Sequence, residues 1–233
     1  MKIEILFPEF CNLYGDLANM KYLQKCLPDE EFIETSFDEE PIFLKENVNL
    51  IYLGPMTEKM QERAISKLKS YKERIIELIK TNTVFLLTGN SLEIFGEYIE
   101  KENGEKIEGL GIFNTHAKQD MMHRWNDIIL GKMKVNEEIE VLGFKNQFTQ
   151  SYGNNQNEPF LIIEKGSGLY KESKLEGIQR NNLIATYLLG PILILNPLLT
   201  KYILKQMGIE EPKLAFEKEV MEAYNKRLEE LKK

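Results

Sequence analysis

Residues 83–96 read TVFLLTGNSLEIFG, an apolar run followed by a glycine turn and a short helix-like segment. The run Thr83–Leu87 carries no charged residue, which is typical of a strand buried on both faces of a sheet. Gly89 then permits a tight turn, and the segment that follows predicts a short helix ending near Gly96. A buried strand that turns directly into a helix is the repeating unit of a parallel α/β sheet.

The same alternation of apolar runs and helical spacing extends to both sides of this stretch. Further strands are predicted at Lys2–Phe7, Phe32–Thr35, Asn49–Leu53, Gly109–Thr115, Glu140–Phe144, Phe160–Glu164 and Leu183–Leu189. Helices are predicted after Asp16 as N-cap, after Thr57 as the cap of one long helix reaching Ile79, and over Lys213–Lys233. This order predicts an α/β fold in which helices cover a mostly parallel central sheet.

The composition indicates a reduced, cytoplasmic protein. The 233 residues suit one large domain or two small ones, and a net charge of −7 without a basic patch argues against nucleic-acid and anionic-membrane partners. The only cysteines are Cys11 and Cys26, and no secretory leader is predicted. The apolar stretch Leu183–Leu199 is broken at Gly190-Pro191 and Asn196-Pro197, which favours strand, turn and helix over a transmembrane helix.

Three loops are predicted to meet at one edge of the sheet. The segments Asn12–Asp16, Gly54–Thr57 and Thr88–Ser91 follow the first, third and fourth predicted strands. Ligands of parallel α/β sheets bind at the carboxyl ends of the strands. We therefore expect the functional site where these three loops converge.

Segments at this edge, taken together, resemble class I glutamine amidotransferase domains. They are Asn12–Asp16 (NLYGD), 88–96 (TGNSLEIFG), and 186–191 (TYLLGP) followed by Asn196-Pro197. The chain from Ile5 to about Leu199 is similar to the cobyric acid synthase type and to the glutaminase subunit of lipid II isoglutaminyl synthase. The resemblance implies one domain over residues 1–233 with a three-layer, flavodoxin-like fold and helices on both faces of the sheet.

The resemblance also implies that the reactive residues of the family are absent. The family's nucleophile motif is Cys-Gly-Gly-Tyr-Gln-x-x-Gly, and counting back from Gly96 places Gly89 at the cysteine. The second motif, Tyr-Leu-His-Gly-Pro, places Leu189 at the histidine. A glycine cannot attack a carbonyl carbon and a leucine cannot accept a proton. The sequence thus predicts a vestigial nucleophile position and a vestigial base position.

Substitutions in the predicted pocket go beyond these two positions. Glu93 replaces the family's glutamine, Gln147 ends a Gly-Phe-Lys-Asn-Gln stretch that is Gly-Phe-Glu-Asn-His in the family, and Gln150 stands near the family's arginine. An arginine would be the natural clamp for a substrate carboxylate. The predicted pocket residues are Asn12, Gly15, Asp16, Gly54, Asn90, Ser91, Glu93, Gln147 and Gln150. Asn90 or Ser91 is also predicted to be an N-cap.

Three functions are compatible with the sequence. The first is a non-hydrolysing amidotransferase-like scaffold, regulator or small-molecule sensor. The second is a working glutaminase whose nucleophile is relocated to Cys11, which requires a lowered thiol pKa. The third uses Asp16 and Glu93 for acid–base work or for a divalent cation, against the simpler interpretation of a helix cap and a solvated helix residue.

The remaining motifs concern partners and cofactors. His116 and His123 lack neighbouring cysteines or paired carboxylates, so we predict no metal site, and we predict no cofactor. Neither of the two common phosphate-binding glycine motifs occurs in the chain. The resemblance therefore implies a separate ATP-dependent partner, a Mur-ligase-like or other synthetase subunit, and a small amino-acid-like ligand.

Overall fold

A six-stranded, mostly parallel sheet and two four-stranded sheets form the framework of the computed structural model, which describes residues 1–81, 83–136 and 138–233. The strands in these residues are β1 (Lys2–Leu6), β2 (Glu31–Thr35), β3 (Leu50–Leu53), β4 (Val84–Thr88), β5 (Tyr98–Glu100), β6 (Lys106–Glu108), β7 (Thr115–Gln119), β8 (Trp125–Met133), β9 (Glu140–Gln147), β10 (Thr149–Gly153), β11 (Leu161–Lys165), β12 (Leu175–Glu176), β13 (Ile178–Arg180) and β14 (Leu183–Thr186). The α-helices are α1 (Ala18–Cys26), α2 (Glu58–Lys69), α3 (Lys72–Lys80), α4 (Ser91–Ile94), α5 (Ile192–Leu195), α6 (Pro197–Gln206) and α7 (Glu217–Lys232).

The central sheet has the strand order β13-β14-β4-β3-β1-β2. Its neighbouring strands are parallel except for β13, which pairs antiparallel with β14. Since β1, β3, β4 and β14 run the same way, the loops after them lie at the same edge. The predicted mostly parallel sheet is confirmed.

Helices cover both faces of this sheet, as the alternation along β3 shows. Ile51 and Leu53 belong to one apolar cluster, with side chains of α2, α3 and α4. Leu50 and Tyr52 belong to a second cluster, with side chains of α1, α5, α6 and α7. Successive side chains of a strand point to opposite faces, so β3 is buried on both sides. The predicted three-layer α/β architecture is confirmed.

The two smaller sheets come from the middle of the chain and are mostly antiparallel. One has the order β10-β7-β5-β6 and the other β12-β11-β8-β9. The eight-residue register between β8 and β9 is the longest pairing in the second sheet. An isolated bridge joins Phe144 of β9 to Leu189, just after β14 of the central sheet. The end of the parallel sheet is thus tied to the antiparallel one.

The predicted strand over Gly109–Thr115 is wrong. Most of the segment is a loop whose main chain bonds back to α4 and the residues after it: Gly109 N donates to Glu97 O, and Leu110 N donates to Ile94 O. Its apolar residues Leu110 and Phe113 are buried in the same apolar cluster as side chains of α4. The longest strand of the middle region, Trp125–Met133, was not predicted, because exposed and half-buried residues alternate over its first half.

Two predicted helices differ in their bounds. The helix predicted from Thr57 to Ile79 is two helices, α2 and α3, separated at Ser70 and Tyr71. The last helix starts at Glu217 rather than near Lys213, after Phe216, which has a positive φ of 54°. No helix within residues 1–81, 83–136 and 138–233 has both the length and the apolar character needed to cross a membrane.

Candidate functional site

A sharp turn joins β4 to α4 at the carboxyl edge of the central sheet. Gly89 occupies this turn with φ +59°, between the last residue of β4 and the first turn of α4. The hydroxyl oxygen of Ser91 lies 2.9 Å from Leu53 O and 2.7 Å from Thr88 O, so its one hydrogen is shared between the two carbonyls or donated to either of them, at the ends of β3 and β4. Asn90 binds Met56 through both its amide atoms. Asn90 is the N-cap residue of α4, one of the two predicted alternatives, but its side chain makes no capping hydrogen bond.

The space around Gly89 excludes a side chain. A Cβ atom built there would lie 2.6 Å from Pro55 Cβ and 3.2 Å from Leu189 Cδ2. The positive φ independently favours glycine, since other residues are strained in that region. Gly89 and Leu189 thus lie against each other, with Pro55 beside them.

We expect Gly89→Ala to lower the free energy of unfolding by about 1–3 kcal/mol, from the positive φ and the contact with Pro55. Gly104→Ala is the matched control, because Gly104 also has a positive φ of 83° but no atom within 4 Å of a Cβ. Urea unfolding gives the free energy of unfolding of both variants. The loss in Gly104→Ala reports backbone strain alone, and any additional loss in Gly89→Ala reports the contact with Pro55. An equal loss in the two variants would show that the Pro55 contact contributes nothing.

A cavity of about 130 Å³ opens beside Gly89. Its walls come from the loops after β1, β3, β4 and β14 and from the junction of β9 with β10. The lining residues are Leu13, Tyr14, Pro55, Met56, Thr57, Glu58, Gly89, Asn90, Glu93, Asn146, Gln147, Phe148, Thr149, Tyr187 and Leu189. The loops that the sequence places at this edge therefore do meet here.

Glu93 is the buried ionisable group of this cavity. It is 2% exposed, accepts hydrogen bonds from Gln61 Nε2 at 2.8 Å and Tyr187 OH at 2.9 Å, and lies in α4. Burial and, to a smaller extent, the charge of Glu58 raise the pKa of its carboxyl to about 7, while the two hydrogen bonds oppose the shift. The interpretation of Glu93 as a solvated helix residue is wrong.

Asp16 lies outside the cavity, in a buried cluster beneath the sheet edge. Its Oδ2 accepts hydrogen bonds from Tyr52 OH at 2.6 Å and Thr88 Oγ1 at 2.5 Å, and burial raises the pKa of its carboxyl. Asn12, not Asp16, accepts the hydrogen bond from Leu17 N at the start of α1. The predicted cap is wrong, and Asp16 does not share a pocket with Glu93.

A match to a known protein family agrees with this geometry. The family model of the CobB/CobQ-like glutamine amidotransferase domain matches residues 2–196. The chain belongs to this family.

Two curated relatives of this amidotransferase-like chain carry the same name. The lipid II isoglutaminyl synthase (glutamine-hydrolyzing) subunit GatD of Streptococcus pneumoniae is 25% identical over 207 residues, which cover 84% of this chain and 76% of the relative. The subunit of that name from Staphylococcus aureus is 27% identical over 205 residues, covering 84% of this chain and 79% of the relative.

Solved structures show the same fold. A crystal structure of a glutamine amidotransferase superposes with a TM-score of 0.54 at 11% identity, covering 89% of this chain and all 100% of the other. A glutamine amidotransferase from Thermotoga maritima superposes with a TM-score of 0.51 at 12% identity, covering 100% of this chain and 85% of the other. At such identities the likeness concerns the fold alone.

The predicted site residues divide into two groups in this amidotransferase-like domain. The predicted pocket residues Asn90, Glu93 and Gln147 line the cavity, and so do the vestigial positions Gly89 and Leu189. The other predicted pocket residues do not line it: Asn12, Gly15, Asp16, Gly54, Ser91 and Gln150. A Cβ at position 54 would lie 2.4 Å from Cys11 O, which explains that glycine by close packing. Gln150 Oε1 accepts a hydrogen bond from Lys171 N.

Cys11 is poorly suited to act as a relocated nucleophile. Its side chain is fully buried, it does not line the cavity, and burial raises the pKa of its thiol. A nucleophilic cysteine needs the opposite shift and access to substrate.

Several cavity residues were missed by the sequence analysis. Tyr187 contributes a buried hydroxyl that bonds Glu93, and Tyr14 OH donates to Asn146 Oδ1 at 3.0 Å. Tyr14, Asn146 and Tyr187 all belong to segments that carry the family resemblance. Their position within those motifs was the available signal.

The two histidines lie elsewhere. His116 is stacked between Tyr98 and Tyr152, and His123 is an exposed partner of Asp120. Within the described part of the chain, no three His, Cys, Asp or Glu side chains converge as metal ligands would. Trp125 is half-buried and donates to Ser167 Oγ at 3.1 Å.

Proposed function

We propose that this chain is a non-hydrolysing, amidotransferase-like subunit that acts with a separate ATP-dependent ligase on a lipid-linked cell-wall precursor. Membership of the amidotransferase family and the two relatives named as lipid II isoglutaminyl synthase subunits support the pathway and the partner. Alignment along 84% of this chain with each relative supports a whole-domain correspondence rather than a shared motif.

The pair Gly89 and Leu189 is the observation that carries the non-hydrolysing part of the proposal. Gly89 lies at the strand-to-helix turn, the place from which a nucleophile would project, and Leu189 Cδ2 lies 3.2 Å from the position of its missing Cβ. Hydrolysis of an amide by this route needs a nucleophile and a base in that arrangement. The side chains at these two positions, a hydrogen atom on Gly89 and an isobutyl group on Leu189, supply neither a nucleophile nor a base.

The rest of the described cavity lining offers no thiol, serine hydroxyl or imidazole in their place. It contains no cysteine, serine, histidine or lysine. Tyr187 and Glu93 bond each other through the tyrosine hydroxyl, and burial raises the pKa of that hydroxyl well above its usual value. A neutral, hydrogen-bonded phenol of this kind is a poor nucleophile.

The purified natural protein is expected to release no ammonia from glutamine above a protein-free blank. The double variant Gly89→Cys/Leu189→His is also expected to release no ammonia above the blank. The reason is that the Cβ of the new cysteine would lie 2.6 Å from Pro55 Cβ. Adding Pro55→Gly removes that atom, so the triple variant is expected to release ammonia at least about tenfold faster than the double variant, which reflects restored general-base catalysis. A coupled ammonia assay measures all three.

Alkylation of the triple variant is the control for the route. Iodoacetamide is expected to abolish its ammonia release, and Cys11→Ser in the same background is expected to leave that release unchanged. Ammonia release by the natural protein, lost on Cys11→Ser, would contradict the proposal and establish a relocated nucleophile.

A further inference from the structure

All charged residues in the described lining of the cavity are acidic. Glu58 and Glu93 are its only charged residues among those described, and no lysine or arginine lines it. The first turn of α2 faces the cavity, but Glu58 already occupies that positive end of the helix. A ligand carboxylate, such as that of glutamine, would therefore enter a cavity of like charge without a cationic partner.

A second, independent observation is an unpartnered acceptor. Gln147 lines the cavity and is 8% exposed, and its Nε2 donates to Thr149 O at 2.6 Å. That bond fixes the orientation of the amide, so the buried atom without a partner is the oxygen, Oε1. Buried acceptors of native proteins are nearly always satisfied, so this oxygen is available to a donor that is not part of the chain, a water molecule or a ligand.

Two neighbouring side chains with donor groups are already bonded within the chain. Both amide atoms of Asn90 are bonded to the main chain of Met56. Tyr14 OH donates to Asn146. Each carboxylate oxygen of Glu93 accepts one hydrogen bond, from Gln61 and from Tyr187, which leaves further lone pairs on both. The carboxylate of Glu93 and the amide oxygen of Gln147 thus offer acceptors to a ligand that brings donors and positive charge.

We propose that this cavity binds ammonium or a small primary ammonium ligand, in place of glutamine, between Glu93 and Gln147. This inference rests on the proposed non-hydrolysing function, because it assigns the same cavity a nitrogen ligand that needs no bond cleavage. An ammonium group brings only donors and a positive charge, and it matches a carboxylate and an amide oxygen. The cavity of about 130 Å³ has room for such a ligand with several waters.

The protonation of Glu93 sets the pH dependence of this binding. The titratable groups that act on its carboxyl are Glu58 of α2 and Tyr187 after β14, and its pKa of about 7 reflects burial. A cation binds the ionised carboxylate, whose fraction rises about tenfold from pH 6 to pH 8 for that pKa. Ammonium affinity is expected to rise by about the same factor over this range.

The test is a titration of the ¹⁵N-labelled full chain with ammonium chloride and methylammonium chloride at pH 8, with sodium and potassium chloride at equal ionic strength. Ammonium is expected to shift the main-chain amide signals of Gly89, Glu93 and Gln147, and the alkali chlorides are not. Equal shifts with potassium would overturn the proposal in favour of a general monovalent cation site. Shifts with glutamine but not with ammonium would overturn it in favour of an amino-acid site.

Variants make the test specific to Glu93. Glu93→Gln is expected to raise the dissociation constant for ammonium at least about tenfold, from loss of the charge-assisted bond. Glu97→Gln is the matched control, since Glu97 is exposed in the same segment and does not line the cavity. An unchanged dissociation constant in Glu93→Gln would refute the proposal, whereas the ammonia-release assay judges the non-hydrolysing function separately.

Discussion

Replacing Lys145 with methionine is expected to lower the free energy of unfolding by about 3–5 kcal/mol, because it leaves a buried carboxylate without its cation. Lys145 and Glu176 have fully buried side chains, with Nζ 3.7 Å from Oε1. Nζ also donates to Ser167 O at 3.0 Å and to Gly168 O. Burial lowers the pKa of Lys145, and the nearby carboxylate opposes that shift.

The carboxylate that would be left behind has structural partners of its own. Glu176 accepts hydrogen bonds from Thr186 Oγ1 at 2.8 Å and from Tyr187 N at 2.9 Å. Removing its cation therefore disturbs the segment after β14, which carries both Tyr187 and Leu189 into the cavity. Loss of the pair is expected to affect the cavity as well as stability.

A double-mutant cycle in urea measures this pair. Lys145→Met/Glu176→Gln is expected to lose less stability than the sum of the two single variants, because it leaves no uncompensated charge. Lys132→Met is a control at the half-exposed pair Lys132–Glu164, where the loss should stay below about 1 kcal/mol. A loss below about 1 kcal/mol in Lys145→Met would contradict the assignment of a buried ion pair.

Glu93→Gln is expected to stabilise the protein relative to the natural chain by an amount that grows by about 2–3 kcal/mol between pH 5 and pH 8. The folded protein holds the Glu93 proton with a pKa of about 7, against an ordinary value of 4.5. Because the folded state binds this proton more tightly than the unfolded chain, natural stability falls as pH rises from about 4.5 to about 7. The variant has no such proton to lose.

The hydrogen bonds around position 93 can accommodate the amide. The hydroxyls of Tyr187 and Ser151 lie 2.6 Å apart and either can donate, so Tyr187 can accept from a glutamine amide while donating to Ser151. Urea unfolding at pH 5, 6, 7 and 8 gives the difference, with the exposed Glu97→Gln as control. A difference that does not change with pH would mean that the carboxyl titrates near its ordinary pKa.

The strands of the parallel sheet could be predicted from the sequence because each is a continuous apolar run. Val84–Thr88 is buried throughout, and no surface alternation obscures its pattern. Trp125–Met133 escaped prediction because its solvent-facing residues break that pattern, although its register with β9 is long. The strand predicted at Gly109–Thr115 is wrong for the opposite reason. This segment is an apolar loop that packs against α4, and its sequence has the same pattern as a buried strand.

The candidate site was predictable in position but not in chemistry. Gly89 and Leu189 could be placed by counting within motifs, whereas the burial of Glu93 depends on Gln61, 32 residues away, and on Tyr187, 94 residues away. Asp16 shows the same limit, since Tyr52 and Thr88 reach it across the sheet edge. The spacing of residues along the sequence indicates which helix carries a carboxyl group. It does not indicate which side chains from distant parts of the chain bury that group.

The bridge between Phe144 and Leu189 bears on how the chain can be divided. Leu189 N donates to Phe144 O at 2.9 Å, and the same strand supplies Asn146 and Gln147 to the cavity lining. The residues before Trp125 keep the turn at Gly89 but lack β14 of the central sheet and the opposite wall. A fragment ending before Trp125 therefore lacks Asn146, Tyr187 and Leu189 of the cavity lining, and we expect a split version of this protein to form the cavity only when both fragments reassemble.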